Sequence, residues 1–538
     1  MYLRLPCVSN QYLRILVDEY SHIIAQLLNR DSVSAPQITS IVTNLNDYQY
    51  GIIAYLLLDS NTESNIALAN TLIAERSELR LFLPPLFPQI SSCLQANNCK
   101  DNQMMVNVLL KLQMNEPIGL ELFSSVMSSI MDGKASKYFV GLFLIIIYTK
   151  GIGDDDLHHL TISMLHTGKV FDYRNDFPGN KVIRRYPTGA LSEKVALLLP
   201  SLLSIAAKDY PLISPFTVAK SLSFTGGTWS KLSVINGFDF PKPGLDTIKL
   251  LRKCSVALTV AQNDLCPVDT LLYQIRGFTG TVDSIPLAAA SIASKQLACP
   301  ADLLLLDVRY GEGAFFDEMF AQKLLEKIEV IFEKNGLSLI STMTETLQPT
   351  GSGVGNHIEL CEAIAIMKNE IGPFDKRSLD EQKDIVISFF GKLMNYYFPD
   401  FSEQERVSYC ERLFIDGRLL LAFRDLCIAH GMSTNDVSNL LDSPFSYLNL
   451  RKIGGIYSDC DGVLKSINQK QLGNISNFCF ATQVDIDANA NDCLDLLLHK
   501  RLFDKVKKGE IICSVFSVND YQLTGEQISR IQSCFTIC

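Results

Sequence analysis

Apolar side chains recur at helical spacing near the start of the chain. Leu13, Leu16, Tyr20, Ile23, Ile24, Leu27 and Leu28 share one face of a 3.6-residue period. Further helices are predicted at Tyr48 to Leu58 and Ile66 to Ala74, and Leu83-Pro-Pro-Leu-Phe-Pro marks a turn. Residues 1–113 therefore read as a helical extension with no catalytic constellation. From Asn115 to Thr167 three amphipathic helices are predicted, broken at Lys150-Gly-Ile-Gly, and Phe139 to Tyr148 reads as a buried helix. After Pro178 the pattern changes. Apolar runs at 195–206, 255–260 and 302–308 alternate with Gly-rich turns and helical stretches, which predicts an α/β domain around a buried sheet. Helices dominate again from 376 to 432. Beyond 450, short β-like pieces at Gly454 to Ser458, Ala481 to Ile486 and Ile511 to Phe516 predict a small α+β subdomain.

The length, 538 residues, exceeds what one core supports, so several domains are expected. The net charge of −10 argues against nucleic acid as a main partner, because no basic stripe offers to neutralise its phosphates. A small anion needs only a local basic pocket. No apolar run reaches membrane-spanning length. The N-terminus lacks a basic segment followed by an apolar one, so no secretory signal is expected. Fifteen scattered cysteines without CxxC argue for reduced thiols in a cytoplasmic setting and against a zinc ribbon.

Two places invite chemistry. Asp154-Asp-Asp-Leu-His-His contains metal-ligand types, yet acidic residues at a helix start complement its dipole, and Asp154 is expected to cap it. The second is Tyr273 to Lys295. Ser291 and Lys295 are four apart and share a helix face. With the Arg276 fork they make an electrostatic clamp for a flat heterocycle carrying two carbonyls. The same pair also suits an ordinary solvated helix.

The segment Tyr273-Gln-Ile-Arg-Gly-Phe-Thr-Gly-Thr-Val-Asp-Ser-Ile-Pro-Leu-Ala-Ala-Ala-Ser-Ile-Ala-Ser-Lys295 resembles the pyrimidine-binding segment of the thymidine and pyrimidine-nucleoside phosphorylases. Other motifs follow in family order over roughly residues 114–520. Gly168-Lys-Val-Phe-Asp-Tyr is similar to the family's Gly-x-Val-Leu-Asp-Trp hinge. Arg184-Arg-Tyr-Pro-Thr-Gly-Ala-Leu-Ser-Glu-Lys194 lies where the family has Asp-Lys-His-Ser-Thr-Gly-Gly-Val-Gly-Asp-Lys. Ser223-Phe-Thr-Gly-Gly-Thr-Trp-Ser-Lys-Leu232 resembles Gly-His-Thr-Gly-Gly-Thr-Leu-Asp-Lys-Leu. Leu306-Asp-Val-Arg-Tyr-Gly-Glu-Gly-Ala-Phe resembles a mobile loop, Leu-Asp-Val-Lys-x-Gly-x-Gly-Ala-Phe, and Gly355-Asn-His-Ile-Glu359 resembles Gly-Asn-Ala-Leu-Glu.

The resemblance implies an α domain at 114–170 and 268–298 that binds the base and dimerises. It implies an α/β domain at 178–265 and 300–440 that binds phosphate across a cleft, and an α+β subdomain at 441–538. It implies phosphorolysis of a pyrimidine nucleoside by a homodimer, with inorganic phosphate as co-substrate and no cofactor. Tyr273, Arg276, Ser291 and Lys295 would hold the base. Arg184, Arg185, Thr188, Gly189 and Thr228 would hold phosphate, with Arg276, Lys295 and Arg185 carrying catalysis. Glu359 would sit near a structural monovalent cation. The phosphate side departs from the pattern: Tyr186 replaces a histidine, Pro187 a serine, Ala190 a glycine, Ala196 a hydroxyl residue, and Val218 to Leu222 lack the upstream glycines. Proline removes a donor and a hydroxyl together. Two alternatives stay open: a binding protein that has lost catalysis, and a phosphorylase acting on a nucleoside monophosphate through Arg184.

Overall fold

The computed structural model describes residues 100–135, 137–218, 224–260, 264–397, 400–478, 494–520 and 522–538. The helices expected before residue 100, the turn at 83–88 and the β-like piece at 481–486 lie outside the described residues. The chain forms two compact units.

The first unit comprises the described residues of 100–170, 264–298 and 326–335. Its helices are Lys100–Met114, Leu120–Met131, Lys137–Lys150, Asp154–Leu165, Pro267–Thr279 and Ile285–Leu297. The run expected to be a buried helix is one: Phe139, Val140, Phe143, Leu144, Ile146 and Ile147 are all buried. Phe143 meets Phe123 edge to face at 6.3 Å, the arrangement the ring quadrupoles favour. The helix expected to be capped by Asp154 is capped instead by the backbone of Gly153, without a side-chain bond. Asp154 is drawn to Lys327 at 2.6 Å. Asp156 does the capping elsewhere, accepting from the Ile118 and Gly119 N–H groups before the helix Leu120–Met131. The acidic run thus serves helix ends and ion pairs. Among the described residues no cluster of three or more ligand-type side chains is placed to hold a metal ion.

The second unit comprises the described residues of 171–262, 299–325 and 336–538. Its main sheet is wholly parallel, in the order β3-β2-β1-β4-β5, where β1 is Lys181–Pro187, β2 Leu212–Val218, β3 Val256–Val260, β4 Leu303–Tyr310 and β5 Leu339–Glu345. The Leu303–Leu306 run is buried on both sheet faces, which suits an inner parallel strand. The apolar run at 195–206 is not a strand but the helix Val195–Asp209, even with Pro200 inside it. It is buried all round, so its sequence carries no clean helical stripe, and periodicity cannot separate it from a buried strand. Toward the C-terminus β6 (Gly353–Val354), β9 (Asp495–Leu498), β11 (Ile511–Ser517) and β7 (Arg451–Tyr457) form one antiparallel sheet in the order β6-β9-β11-β7. Strands β10 (Lys505–Val506), β8 (Gly462–Ile467) and β12 (Phe535–Ile537) form another, in the order β10-β8-β12. These sheets share a core of their own that includes Ile456, Leu464, Leu472, Leu496 and Val515.

Because every strand of the main sheet runs the same way, the loops that follow β1 and β4 leave from the same edge. That edge, outside the carboxyl ends of parallel strands, is where ligands bind in open α/β sheets. The loops are anchored by a fully buried ion pair. Lys194 Nζ lies 3.0 Å from Glu362 Oε2, and both side chains are 0% exposed. Lys194 also donates to the Ser192 hydroxyl at 2.6 Å and carbonyl at 2.9 Å. Glu362 accepts from the Ser352 and Gly353 N–H groups at 2.8 Å each and from the Ser378 hydroxyl at 3.1 Å. A side chain at Gly351 would run into both charged groups, so only glycine fits there.

Removing one partner strands the other charge in the core. Lys194→Met and Glu362→Gln should each cost about 3–5 kcal/mol in urea unfolding. The double variant should lose clearly less than their sum, since the second substitution removes the charge stranded by the first. Losses below about 1 kcal/mol for the single variants would contradict this account of the pair.

A second expectation concerns pH. His430 donates from Nδ1 to the Asp239 carbonyl at 2.7 Å, accepts at Nε2 from the Leu258 N–H, and stacks on Phe238 with centroids 4.6 Å apart. Burial pushes its pKa down from 6.5 to about 4. The folded state thus favours the neutral ring. Its contribution is complete above the unfolded value of 6.5 and is lost as pH falls from 6.5 toward 4. The difference in unfolding free energy between wild type and His430→Gln should shift against the wild type by about 3 kcal/mol between pH 7 and pH 4. A difference that stays constant over that window would contradict the burial argument.

Candidate active site

In the first unit, the helices Pro267–Thr279 and Ile285–Leu297 carry all four residues expected to hold a base. Each starts with proline in its first turn, where a missing N–H is harmless. Lys295 Nζ donates to the Ser291 hydroxyl at 3.0 Å, as the four-residue spacing predicts, and to Asp269 Oδ2 at 2.7 Å. Asp269 is buried in the first turn of the preceding helix. Sequence reasoning missed it. Its only local signal is an acidic residue at a helix start, which says nothing about a lysine 26 positions on.

Arg276 is buried, and its guanidinium is directed at backbone carbonyls of the connection between the two helices and of the first turn of the second. It donates to Val282 O at 2.6 Å, Thr281 O at 3.2 Å and Leu287 O at 3.4 Å. The Tyr273 ring, 37% exposed, lies 5.5 Å from the guanidinium carbon. Burial lowers the Arg276 pKa and raises that of Asp283. Tyr273, Arg276, Ser291, Lys295 and Asp269 thus form a connected polar set. Lys295 and Ser291 present themselves as a pair, while Arg276 also fixes the helix connection.

In the second unit the segment 184–187 is the end of strand β1, and the turn begins at Thr188. Alternation along the strand sends its two arginines to opposite sheet faces. Arg184 donates to Pro215 O at 3.0 Å and to Cys299 O, so its guanidinium holds the sheet to the chain beside it. Arg185 points to the other face and pairs with Asp307 at 2.5 Å and Glu193 at 3.2 Å, with its guanidinium carbon 5.0 Å from the centre of the Phe389 ring. Arg309 shares Asp307, donating from Nε at 2.7 Å, and is 0% exposed. Among the described residues, its two terminal nitrogens and Arg185 Nε are buried with no hydrogen-bond acceptor. Burial alone would raise the Asp307 and Glu193 carboxyls. The charges of Arg309 and Arg185 outweigh it, and both carboxyls are lowered. Arg309 is a residue that motif reading did not single out. Its signal is that arginine stands at both 185 and 309, where the family patterns have lysine.

Thr188 accepts from the Arg309 N–H at 2.8 Å, which directs its own hydroxyl proton elsewhere. Gly189 has φ +98°, a conformation L side chains rarely adopt, with the Phe315 ring just beyond it. The loop after β4 is tied to the loop after β1: Leu191 N–H donates to Gly313 O at 2.9 Å, and Ala190 bridges Ala314. The Thr-Gly-Gly-Thr segment leads into the short helix Thr228–Ser233, with Thr228 half-buried at its first position. Phe224 and Phe315 meet at 5.0 Å, which brings the third loop against the other two. The residues expected upstream, 219–223, lie outside the described residues. Lys231 pairs with Glu359 at 2.7 Å and donates to Glu193 O at 2.5 Å. Glu359, expected beside a monovalent cation, therefore already faces an ammonium group. His357 and Ile358 N–H groups donate to Asp495 Oδ1, and the His357 ring meets Asp495 Oδ2 at 2.9 Å, which ties this segment to β9.

No protein-family model matches the chain. The chain is 28% identical over 415 residues to a pyrimidine-nucleoside phosphorylase of Geobacillus stearothermophilus, covering 77% of this chain and 92% of the relative. The match to the Bacillus subtilis pyrimidine-nucleoside phosphorylase is 28% over 414 residues, and that to the Staphylococcus aureus protein of the same name is 26% over 434 residues, or 80% of this chain and 96% of that one. Among solved structures, the crystal structure of anthranilate phosphoribosyltransferase (TrpD) from Thermus thermophilus matches with a TM-score of 0.45 and 15% identity, covering 60% of this chain and 99% of that one. The likeness first read from separate motifs is thus one of nearly whole-length sequence: the chain is similar to pyrimidine-nucleoside phosphorylases over more than nine-tenths of their length.

Proposed function

We propose that this chain is a pentosyltransferase that catalyses the reversible phosphorolysis of a pyrimidine (deoxy)nucleoside to free base and (deoxy)ribose 1-phosphate. The observation that carries the reading is similarity over 92% or more of three pyrimidine-nucleoside phosphorylases. It is supported by the cluster of Tyr273, Arg276, Ser291 and Lys295 on two neighbouring helices.

A phosphate oxygen attacks C1′ from the face opposite the base. The C1′–N1 bond breaks, and its electron pair leaves with the base and spreads onto the ring carbonyls. Lys295 carries fixed positive charge for that developing negative charge, which is preorganised electrostatic stabilisation. Ser291 orients the ring, Tyr273 lines its face, and Arg276 adds charge while holding the helix connection. Arg185, Thr188 and Thr228 bind the phosphate. An arginine fork has five donors, so Arg185 holds Asp307 through one terminal nitrogen and keeps others for an anion. Phosphate is the only co-reactant required. The reading carries with it a cytoplasmic homodimer.

One observation favours the second reading, a binding protein without turnover. The loop cations Arg185, Lys194 and Lys231 each already face a carboxylate, and Pro187 offers no donor.

The deciding experiment incubates the protein with thymidine, uridine, deoxyuridine and their monophosphates, with and without phosphate, and follows free base by chromatography. Base release that requires phosphate is expected from the nucleosides. Lys295→Ala should lower kcat/KM by about 10- to 100-fold, as expected for a lost charge-assisted bond of about 1.5–3 kcal/mol. Pyrimidine binding without base release at any phosphate concentration would leave the second reading standing. Release from monophosphates alone would assign a nucleotide substrate.

A further inference from the structure

We infer that the helix Gln469–Phe478 of the C-terminal region positions all three anion-site loops. This rests on the phosphorylase reading only for what the loops bind. Three residues four apart, Gln469, Gly473 and Asn477, lie on one face of the helix, and together they meet all three loops of the cluster. Gln469, 1% exposed, donates to Thr346 O at 2.9 Å, the carbonyl that also accepts from the Gly313 N–H, and its amide group fills the space where a side chain at Gly313 would stand. Gly473 lies so close to the loops after β1 and β2 that a Cβ there would run into the Phe224 carbonyl and lie 2.9 Å from Leu191 Cδ1. Asn477 donates from Nδ2 to the Phe224 carbonyl at 2.9 Å, and its Oδ1 borders Gly226 of the Thr-Gly-Gly-Thr segment. The same face therefore backs 311–315 through Gln469, 188–192 through Gly473 and 224–228 through Gly473 and Asn477.

Glycine-rich loops present N–H groups to an anion only if something else fixes their conformation, because glycine itself favours none. Here the loops lean on one another, and the helix supplies the rigid backing. Asn477 and Gly473 are positioning residues: they act on phosphate through the backbone of 224–228 and 188–192. This also gives the C-terminal sheets a role in the chemistry, since Ser476 on the same helix donates to Leu494 O at 2.8 Å beside β9.

The test uses the full chain. Asn477→Asp keeps the side-chain shape and removes the donor facing the Phe224 carbonyl. Asn474→Ala, on the exposed face of the same helix, is the control. Asn477→Asp should raise the phosphate KM about tenfold, the effect of one lost hydrogen bond, while the nucleoside KM stays within about twofold and Asn474→Ala changes neither. Asn477→Leu, which removes the same donor without adding a charge, should act in the same direction; it separates the lost hydrogen bond from repulsion by the new carboxylate and serves if Asn477→Asp fails to fold. An equal rise in both KM values, or no change in either, overturns the inference. A readout that needs no turnover separates this from failure of the phosphorylase reading. The single tryptophan, Trp229, directly follows Thr228. Its emission should shift in Asn477→Asp and not in Asn474→Ala. Unchanged emission in Asn477→Asp overturns the inference whether or not the wild type cleaves any nucleoside.

Discussion

A charge placed in a protein core must be matched there, and the second unit is organised around that constraint. Lys194 and Glu362 are both completely buried and meet each other. To satisfy the remaining protons and lone pairs, the chain brings Ser192, Ser352, Gly353 and Ser378 to the same point. This requires glycine at 351, where any side chain would displace the pair, and accepts the left-handed backbone of Ser192, φ +63°. The loop after β1 is thereby fixed to the segment that enters β6. The same logic repeats at Lys231 with Glu359 and at Arg185 and Arg309 with Asp307. The site loops are built on neutralised cations, not on loose ones.

That architecture changes what the departures from the family motifs mean. Tyrosine at 186 and proline at 187 take away a cation and a donor. Arginine at both 185 and 309 puts donors back, because two guanidinium groups sharing Asp307 keep buried N–H groups that are not engaged by it. In the phosphorylase reading proposed above, those guanidinium donors, the Thr188 and Thr228 hydroxyls and the loop N–H groups would take the phosphate. On the base side the family pattern is intact in sequence, and Lys295 and Ser291 stand as the spacing predicts.

Elements with strong, simple patterns were legible in the sequence. The helix at 139–148, the strands at 256–260 and 303–310 and the β pieces at 454–457 and 511–516 all follow from apolar runs and their punctuation. The run at 195–206 was not, because a helix buried on every side loses the stripe that identifies it. The Ser291–Lys295 contact was legible because a helix turns local spacing into proximity. Asp269 beside Lys295, the pairing of Asp307 with an arginine 122 positions away, and the backing of three loops by residues 469–477 depend on tertiary packing. No local pattern encodes them. The two arginines of β1 look like one basic patch in sequence, and strand alternation separates them.

The central claim, transfer of the pentose from base to phosphate, is tested most directly by oxygen labelling. The protein is incubated with a pyrimidine nucleoside and 18O-labelled phosphate, and the sugar product is analysed by mass spectrometry. The account predicts pentose 1-phosphate that retains all four labelled oxygens, since C1′ is attacked by a phosphate oxygen and only the C1′–N1 bond breaks. Free pentose carrying solvent oxygen, or intact nucleoside with no base released, would contradict it.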